Sequence, residues 1–548
     1  MADSTTSFVQ SQETDTAKLP PLPTAAAPWK LYQRLLFRIA FVFFIAISIP
    51  NTPEWYTQLA GLNWLHLNYR DLYDIARFGS GINFFGNTIF GSPLLGYANW
   101  IITALVATAA GLLWTSVAYI RKSPRQEYTT LYYWLRVVVR YRAGIGIIGF
   151  GFTKLLPLQM PYPSLGLLNT NFGDFTAQKI YWLSIGIVPW YQVFAGVVEV
   201  AAGTLLFFRK TTTVGAILLF AALGDIVYVN FAYDGGVHVY SSYFVLLAAF
   251  LLIEDVPNIF RLLILERSIT PHHFYPSLSR AATIARITLK SFTIFLFLFV
   301  LFYLQLVNFL YDPYKQPSVA GIKELRGNYN VTEFRINGQV LPYNPLDTTR
   351  WQEATFEDWS TFTFRVNKPH KLDLSNGGGD PQRDVNRTFE ITGVAGGQRA
   401  FHYYADEVNH TLYLEDKYKD IPDRRNRTAG VGGDGGTDFN LGTGLPSKDT
   451  VTENAQQQSW IPDNARKNIG DESLKIDPRA LSTRRARDYA ATPKKEKRKR
   501  FVVSYQTTDG SKIILTGKDE EKNDIYVVLE RVDRHYALTE PGLKAGKY

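Results

Sequence analysis

The sequence predicts an all-α polytopic membrane helix bundle followed by a mainly antiparallel β domain, either a lipocalin-like barrel or a sandwich. Apolar and aromatic residues are concentrated before Tyr311 and charged residues after it, so the mean hydropathy of -0.08 averages two unlike halves. The first half contains several apolar stretches of the ~20 residues that a spanning helix needs. The second half contains short alternating runs of β-branched and aromatic residues between polar turns, a pattern typical of strands.

About seven segments of the first half qualify as transmembrane helices by length and composition. They are residues 33–49, 97–120, 132–156, 190–208, 213–231, 237–253 and 287–311. Basic residues such as Lys30, Arg121, Arg209 and Arg267 fall in alternate connections. The positive-inside rule then places the amino terminus in the cytoplasm, and an odd number of spans places everything after residue 312 outside.

The bundle is expected to occupy residues 29–312, behind a polar tail. Residues 1–28 are rich in Thr, Ala and Pro and lack the charged-then-apolar design of a cleaved signal, so they are predicted to be a disordered cytoplasmic tail. Residues 51–93 are aromatic but too polar to cross the bilayer. They are predicted to form interfacial helices on the outer leaflet.

The β domain is expected over residues 318–548, outside the membrane. Strands are predicted at residues 329–336, 362–366, 388–392, 411–415, 501–505, 512–515 and 525–532. Residues 417–500 are rich in Gly, Asp, Arg and Lys, and they are predicted to be a long flexible insertion in one strand connection.

Composition excludes several classes of site and partner. The chain has no Cys, so disulfides, dithiol chemistry, iron–sulfur clusters and thiolate metal sites are not expected. A haem held by two imidazoles is not expected either, because only His238 lies in a predicted span, and no metal site is predicted. The net charge of +9 reflects loops beside the spans and a basic run at residues 494–500, so no nucleic acid partner is expected.

Ionisable side chains in four predicted spans are the candidate site. Lys154, Glu199, Asp225 and His238 each cost a few kcal/mol in lipid unless they have a partner or a function. Helical rise and orientation place all four in the outer half of the bundle, with Lys154 and His238 near the surface and Glu199 near the midplane. In the functional hypothesis, Lys154 and His238 hold a polar head group while Glu199 or Asp225 moves a proton.

A structural hypothesis uses the same residues. Lys154 and His238 could snorkel to the interface, and Glu199 could form an ion pair with Arg140 or Arg142 that ties two helices together. The run GIGIIGFG, residues 144–151, is predicted to allow close approach by a neighbouring helix.

Three stretches carry a family resemblance. YRAGIGIIGFGFTKLLPLQMPYP, PWYQVFAGVVEVAAGTLLFFRKTTTVGA and NFAYDGGVHVYSSYFVLLAAFLL resemble the DoxX-like family of bacterial membrane proteins, in the long form with extra helices and a C-terminal β domain. The resemblance covers residues 132–255. Matching positions include Lys154, Gln159, Glu199 and Asp234, whereas relatives usually have Lys at His238 and an uncharged residue at Asp225.

The resemblance implies a multi-pass protein of the bacterial inner membrane, with a periplasmic or extracellular C-terminal domain. The first hypothesis is a redox-associated protein that binds a quinone, an isoprenoid or a lipid head group, with electron transfer through a bound carrier or a partner redox subunit. The second is a non-enzymatic, membrane-anchored lipid-binding or envelope scaffold protein. A vitamin K-dependent carboxylase-like enzyme is the third. Membrane lipids are the expected partners, and a homo-oligomer remains open, as does the question of enzymatic activity.

Overall fold

The computed structural model describes residues 29–51, 53–67, 69–82, 95–122, 127–270, 274–311, 313, 315–370, 372–374, 377, 384–418, 460–462, 464–465, 498–538 and 542–546. The predicted tail at residues 1–28 and most of the predicted insertion at residues 417–500 lie outside these ranges. The helices are α1 Leu31–Ser48, α2 Pro53–Ala60, α3 Tyr69–Ala76, α4 Leu95–Ile120, α5 Thr129–Leu155, α6 Leu165–Leu168, α7 Ala177–Gly186, α8 Pro189–Leu206, α9 Thr212–Ala232, α10 His238–Leu252, α11 Val256–Leu263, α12 Arg280–Ile294 and α13 Leu301–Tyr311.

Four helices in the described residues are long and apolar enough to cross a membrane, or up to six if each of two bent pairs counts as one span. α7 and α8 form one pair, bent by 91°, and α10 and α11 form the other, bent by 74°. The predicted count of seven is not confirmed. The predicted third span, α5, carries Arg136, Arg140, Arg142 and Lys154, which is too much charge for an apolar span.

Glycines bring α5 and α8 into close contact. A Cβ at Gly144 would lie 3.0 Å from the carbonyl oxygen of Gly203, and a Cβ at Gly151 would lie 2.6 Å from the Val200 side chain. Gly196 of α8 faces Gly151 from the other side. Side chains at these positions would push the helices apart. The predicted role of residues 144–151 in close packing is confirmed.

α3 packs inside the bundle. Leu72 is fully buried, in an apolar cluster with residues of α5 and α13. A Cβ at Gly149 would lie 2.9 Å from the Tyr73 ring, which shows how closely α3 approaches α5. The predicted interfacial position is therefore corrected for α3, because its apolar face meets other helices and not lipid.

Nine strands among the described residues form a closed antiparallel barrel. They are β1 Gly327–Ile336, β2 Gln339–Val340, β3 Glu353–Phe356, β4 Thr361–Arg365, β5 Gln398–Asp406, β6 Thr411–Asp416, β7 Arg500–Thr507, β8 Lys512–Lys518 and β9 Asp524–Val532. β1 pairs with both β3 and β9, which closes the sheet, and β2 extends β1 as a short hairpin. The predicted barrel is confirmed, and the sandwich is not observed.

Two details of the strand prediction differ from the structure. The sequence pattern did not predict β2, β3 or β5. The predicted strand at residues 388–392 is a turn, because the Thr392 backbone N–H donates to the Thr388 carbonyl at 3.0 Å.

Aromatic side chains fill the barrel. Trp351 stacks on Phe364 with ring centroids 3.8 Å apart, and Phe356 lies 4.5 Å from Phe362. These four side chains are at most 5% exposed. A barrel of about eight strands is just wide enough for its own side chains, so this interior is a packed core.

The barrel rests on the chain between α5 and α8. The Thr176 N–H donates to the Gly393 carbonyl at 2.9 Å, and the Ala395 N–H donates to the Asp174 carbonyl at 2.7 Å. Near the carboxyl terminus, the Gly546 N–H donates to the Phe309 carbonyl at 3.0 Å, at the end of α13. These bonds place one end of the barrel over one end of the helix bundle.

Part of the predicted insertion is docked on the barrel. Trp460, Ile461 and Ala465 pack against Tyr404 and Tyr413 on the outside of β5 and β6, and Ile461 is 1% exposed. These apolar residues lie within a polar stretch, and their burial explains why this short piece is ordered.

Candidate functional site

Lys154 and Glu199 form a buried ion pair between α5 and α8. Lys154 Nζ donates to Glu199 Oε1, and the two side chains are 10% and 2% exposed. The sequence placed Lys154 near the surface and Glu199 near the midplane, whereas in the structure the two charged groups are in contact. After α5 the chain folds back over α8, where the Gln192 side chain bonds to the Met160 N–H and carbonyl, both at 3.0 Å.

The glycine contacts position this pair. Lys154 follows Gly151 by three residues, and Glu199 follows Gly196 by three residues. Residues three apart lie on the same face of a helix, so both charges lie on the faces where α5 and α8 meet. The two helices run antiparallel, since Gly144 faces Gly203 and Gly151 faces Gly196. The two charges therefore lie on opposite sides of the glycine contact, and the long Lys154 side chain, which tilts toward its own amino terminus, spans the offset. The ion pair therefore depends on the same small residues that determine the helix crossing.

Several buried polar atoms have no hydrogen-bond partner among the described residues. They include Glu199 Oε2 of α8 and the whole side-chain amide of Gln305 on α13. Gln305 is fully buried, next to Leu304 in the apolar cluster that includes Phe152 of α5. Buried polar groups in native proteins almost always have a partner, so these atoms are candidates for a hydrogen bond to a molecule from outside the chain.

Polar side chains of α3 enter the bundle on the side of the Lys154–Glu199 pair. Arg70 lies 3.8 Å from Asp74, and Arg77, just after the helix, donates to the Tyr73 hydroxyl at 2.6 Å. Tyr73 also lies within electrostatic range of Glu199. α3 therefore adds charged and hydroxyl groups to the neighbourhood of the ion pair.

Arg140 and Arg142 are not the partners of Glu199. Arg140 Nε donates to the Leu206 carbonyl at 2.9 Å, and Arg142 Nη1 donates to the Ala76 carbonyl at 2.7 Å. Each arginine therefore binds the carboxyl end of a neighbouring helix, where a cation is favoured by the helix dipole. The structural ion pair expected from the sequence is corrected, because Lys154 occupies that role.

His238 lies between α4 and α9. Its Nδ1 is 3.2 Å from the Tyr97 hydroxyl, and its ring stacks on Phe231 with centroids 4.3 Å apart. These contacts surround His238 with aromatic rings, whereas Lys154 and Glu199 lie between α5 and α8.

The other candidates are peripheral to the ion pair. Asp225 has an exposed side chain on α9. Asp234 is exposed in the turn after α9, with a φ of 52°. Gln159 is half-buried after α5, and its Oε1 has no hydrogen-bond partner among the described residues. Of the predicted site residues, the structure thus joins Lys154 and Glu199.

A cavity of about 250 Å³ lies between the barrel and the end of the bundle that faces it. Its apolar wall includes Met160, Pro161 and Trp359, and its polar wall includes Gln316 and Lys544. Gln316 is 5% exposed, and its Oε1 has no hydrogen-bond partner among the described residues. The cavity follows α5 directly and adjoins the start of α8.

Glu357 fixes one wall of this cavity. Its carboxylate accepts from the backbone N–H groups of Leu165 and Gly166, both at 2.9 Å. Burial raises the pKa of Glu357 to about 7, although the Gly166 N–H favours the charged form. This single side chain therefore holds α6 against the barrel.

Nothing matches among known proteins. No protein-family model, curated protein or solved structure matches this chain. The DoxX-like resemblance therefore stays a prediction, and the proposed function rests on the contacts of the residues described above.

Sequence reasoning missed Gln305 and the polar residues of α3. Gln305 is one uncharged residue in an apolar span, which is a weak signal. The sequence of α3 contains a stronger signal, since Arg70 and Asp74 are four residues apart and pair on one face of the helix.

Proposed function

We propose that the helix bundle binds the polar head group of a membrane lipid at the Lys154–Glu199 pair, with a quinone or another isoprenoid as the favoured ligand. The observation that carries this proposal is the set of buried atoms without a partner, Glu199 Oε2 and the Gln305 amide. Leaving such a group unpaired costs about 1–3 kcal/mol. A ligand that bonds to these atoms would remove that cost.

The available groups fit both a donor and an acceptor. Gln305 Nε2 donates hydrogen bonds and suits a quinone carbonyl, while Glu199 Oε2 accepts and suits a hydroxyl group. Leu304, next to Gln305 in the sequence, and Phe152, two residues before Lys154, belong to one apolar cluster. This combination of a few polar atoms in an apolar wall is typical of small-molecule sites.

The cavity at the outer end of the bundle supports a route to the pair. It adjoins Pro157, three residues beyond Lys154, and Pro189 at the start of α8. A head group in this cavity would be about 15 Å from Glu199, given the helical rise over ten residues. A lipid that enters through the cavity would therefore have to move its head group along α8 over this distance to reach the ion pair.

We further propose that the chain is a DoxX-like protein of the bacterial inner membrane, with its amino terminus in the cytoplasm and its barrel outside. Because the chain has no Cys, electron transfer would need the bound quinone or a partner redox subunit. The alternative of a lipid-carrying barrel has less support, since aromatic side chains fill the barrel.

The test is the lipid content of the purified protein. Protein extracted in mild detergent is analysed by mass spectrometry for quinones, isoprenoids and phospholipids per folded molecule. We expect a bound quinone or isoprenoid in the wild type and a loss of it in Gln305→Leu and in Lys154→Met/Glu199→Gln. The double variant removes both charges together, so it strands neither partner.

A second ion pair on α5 provides the control. Arg136 Nη1 lies 2.9 Å from Glu254 Oε2 at the other end of the helix. Arg136→Met/Glu254→Gln should retain the ligand. Equal ligand content in all variants, or phospholipid alone in the wild type, would show that the Lys154–Glu199 pair is structural.

A further inference from the structure

Four cations converge at the opposite end of the bundle from the barrel. Lys290 Nζ of α12 lies 4.0 Å from the ring of Phe208, which directly precedes Arg209. Arg286 lies about one helical turn before Lys290, and Arg140 of α5 bonds to the carbonyl of Leu206, three residues before Arg209. Arg286 and Lys290 are four residues apart and half-buried, so both lie on the side of α12 that faces the other helices. Like charges at this spacing destabilise a helix, so the arrangement needs a compensating anion.

No carboxylate supplies that compensation in the described part of the chain. Arg209, Arg286 and Lys290 form no ion pair there, and the nearby acids Glu254 and Asp255 pair with Arg136. Arg140 Nε donates a hydrogen bond to the Leu206 carbonyl. Three cations are therefore left to bind an anion from outside the chain.

Aromatic rings hold two of these cations in place. The Arg209 guanidinium lies 5.2 Å from the Tyr133 ring centroid and 4.9 Å from that of Tyr275. Lys290 Nζ lies 4.0 Å from the Phe208 ring centroid. Cation–π contacts of this kind restrict side chains that would otherwise extend into water.

The surroundings of these cations are apolar and face outward. Leu289 is 66% exposed, Ile287 is 54% exposed and Phe208 is 40% exposed, as expected for side chains in contact with lipid tails. Arg286 and Lys290 lie about 9 and 15 Å from the start of α12, given the helical rise. Both cations therefore lie within the first three turns of α12.

We propose that Arg209, Arg286 and Lys290 bind the phosphate of an anionic phospholipid from the membrane leaflet at this end of the bundle. The phosphate accepts charge-assisted hydrogen bonds from the three cations, and the acyl chains lie along the apolar face of α12. This site is distinct from the Lys154–Glu199 pair, because Lys154 is at the other end of α5.

The experiment uses the full chain, delipidated in a neutral detergent. Thermal unfolding is measured with short-chain phosphatidylglycerol, with phosphatidylcholine and with inorganic phosphate. We expect phosphatidylglycerol to raise the Tm of the wild type more than phosphatidylcholine does, and inorganic phosphate to have little effect. The variant Arg286→Gln/Lys290→Gln should lose most of the response, and its lipid-free form should unfold at a higher temperature than the lipid-free wild type.

Arg261→Gln/Arg267→Gln is the matched control. It removes two exposed cations from the connection between α10 and α12 and should retain the full response. If the first double variant does not fold, Arg209→Gln tests the same site from a different element. Equal Tm shifts with the two lipids, equal losses in the control, or a full response to inorganic phosphate alone would overturn the proposal.

Discussion

Lys154 and Glu199 form an ion pair whose position is determined by the contact between Gly151 and Gly196. Each charged residue lies three positions from its glycine, on the face where the two antiparallel helices meet, so the close approach of the helices lets the Lys154 side chain reach Glu199. A change in the packing of α5 on α8 would therefore separate the charges. The candidate site and the core of the bundle are coupled at this point.

The ion pair should show strong coupling in a double-mutant cycle. Lys154→Met leaves Glu199 unpaired and Glu199→Gln leaves Lys154 unpaired, so each should lower the free energy of unfolding by about 3 kcal/mol. The double variant should lose less than either single variant. Denaturant unfolding in detergent measures all four proteins. Additive losses would mean that the two side chains do not interact in the folded protein.

Gly196→Ala should destabilise the bundle. The added Cβ would meet the Leu155 backbone and the Gly151 carbonyl oxygen, and such overpacking costs about 1–3 kcal/mol. Gly224→Ala is the control, since no atom lies within 4 Å of its added Cβ. That substitution should stabilise α9 by roughly 0.5–1 kcal/mol. Similar Tm changes in the two variants would contradict the close contact.

Glu357 should make stability depend on pH. Burial raises its pKa from the ordinary 4.5 to about 7, so between these values the folded protein binds more protons than the unfolded chain. Stability should therefore be greatest below pH 4.5 and fall by roughly 3 kcal/mol as the pH rises to about 7. The Tm measured across this window checks the slope.

Glu357→Gln should remove most of that slope, while Glu521→Gln, at an exposed position in the turn between β8 and β9, should leave it unchanged. A smaller slope should persist below pH 6, because burial also raises the pKa of Asp416 to about 6. An unchanged profile in Glu357→Gln would assign the pH dependence to other groups.

The insertion should tolerate a deletion that spares its docked piece. Removing residues 430–457 should leave the barrel as stable as before, since loop-closure entropy changes slowly with length. Ile461→Ala, in contrast, should cost about 2 kcal/mol, because it empties a buried site against Tyr404. Chemical denaturation of both variants distinguishes the two parts, and equal stability would mean that the docked piece adds nothing.

Reporter fusions test the proposed orientation. A periplasmic reporter at the carboxyl terminus should be active, and the same reporter after Arg121 should be inactive, because basic residues mark the cytoplasmic ends of the helices. Activity of the fusion after Arg121 would reverse the orientation.

The division of the chain into a helix bundle and a β domain could be predicted from its sequence, because hydropathy and periodicity are local properties. An apolar run shows a helix in any window, and alternating β-branched residues show a strand. Lys154 and Glu199 could also be selected in this way, since a charge in an apolar span is costly wherever its partner lies. The filling of the barrel could not be predicted, because it depends on which strands close the sheet.

The partner of Glu199 was decided by the tertiary structure alone. The sequence suggested Arg140 or Arg142 as the partner, whereas the packing of α5 against α8 brings Lys154 to Glu199. Gln305 gained its importance in the same way, since a glutamine is unusual only when its neighbours leave its amide unpaired. Local sequence determines which residues are costly to bury, and packing between distant helices determines which of them meet.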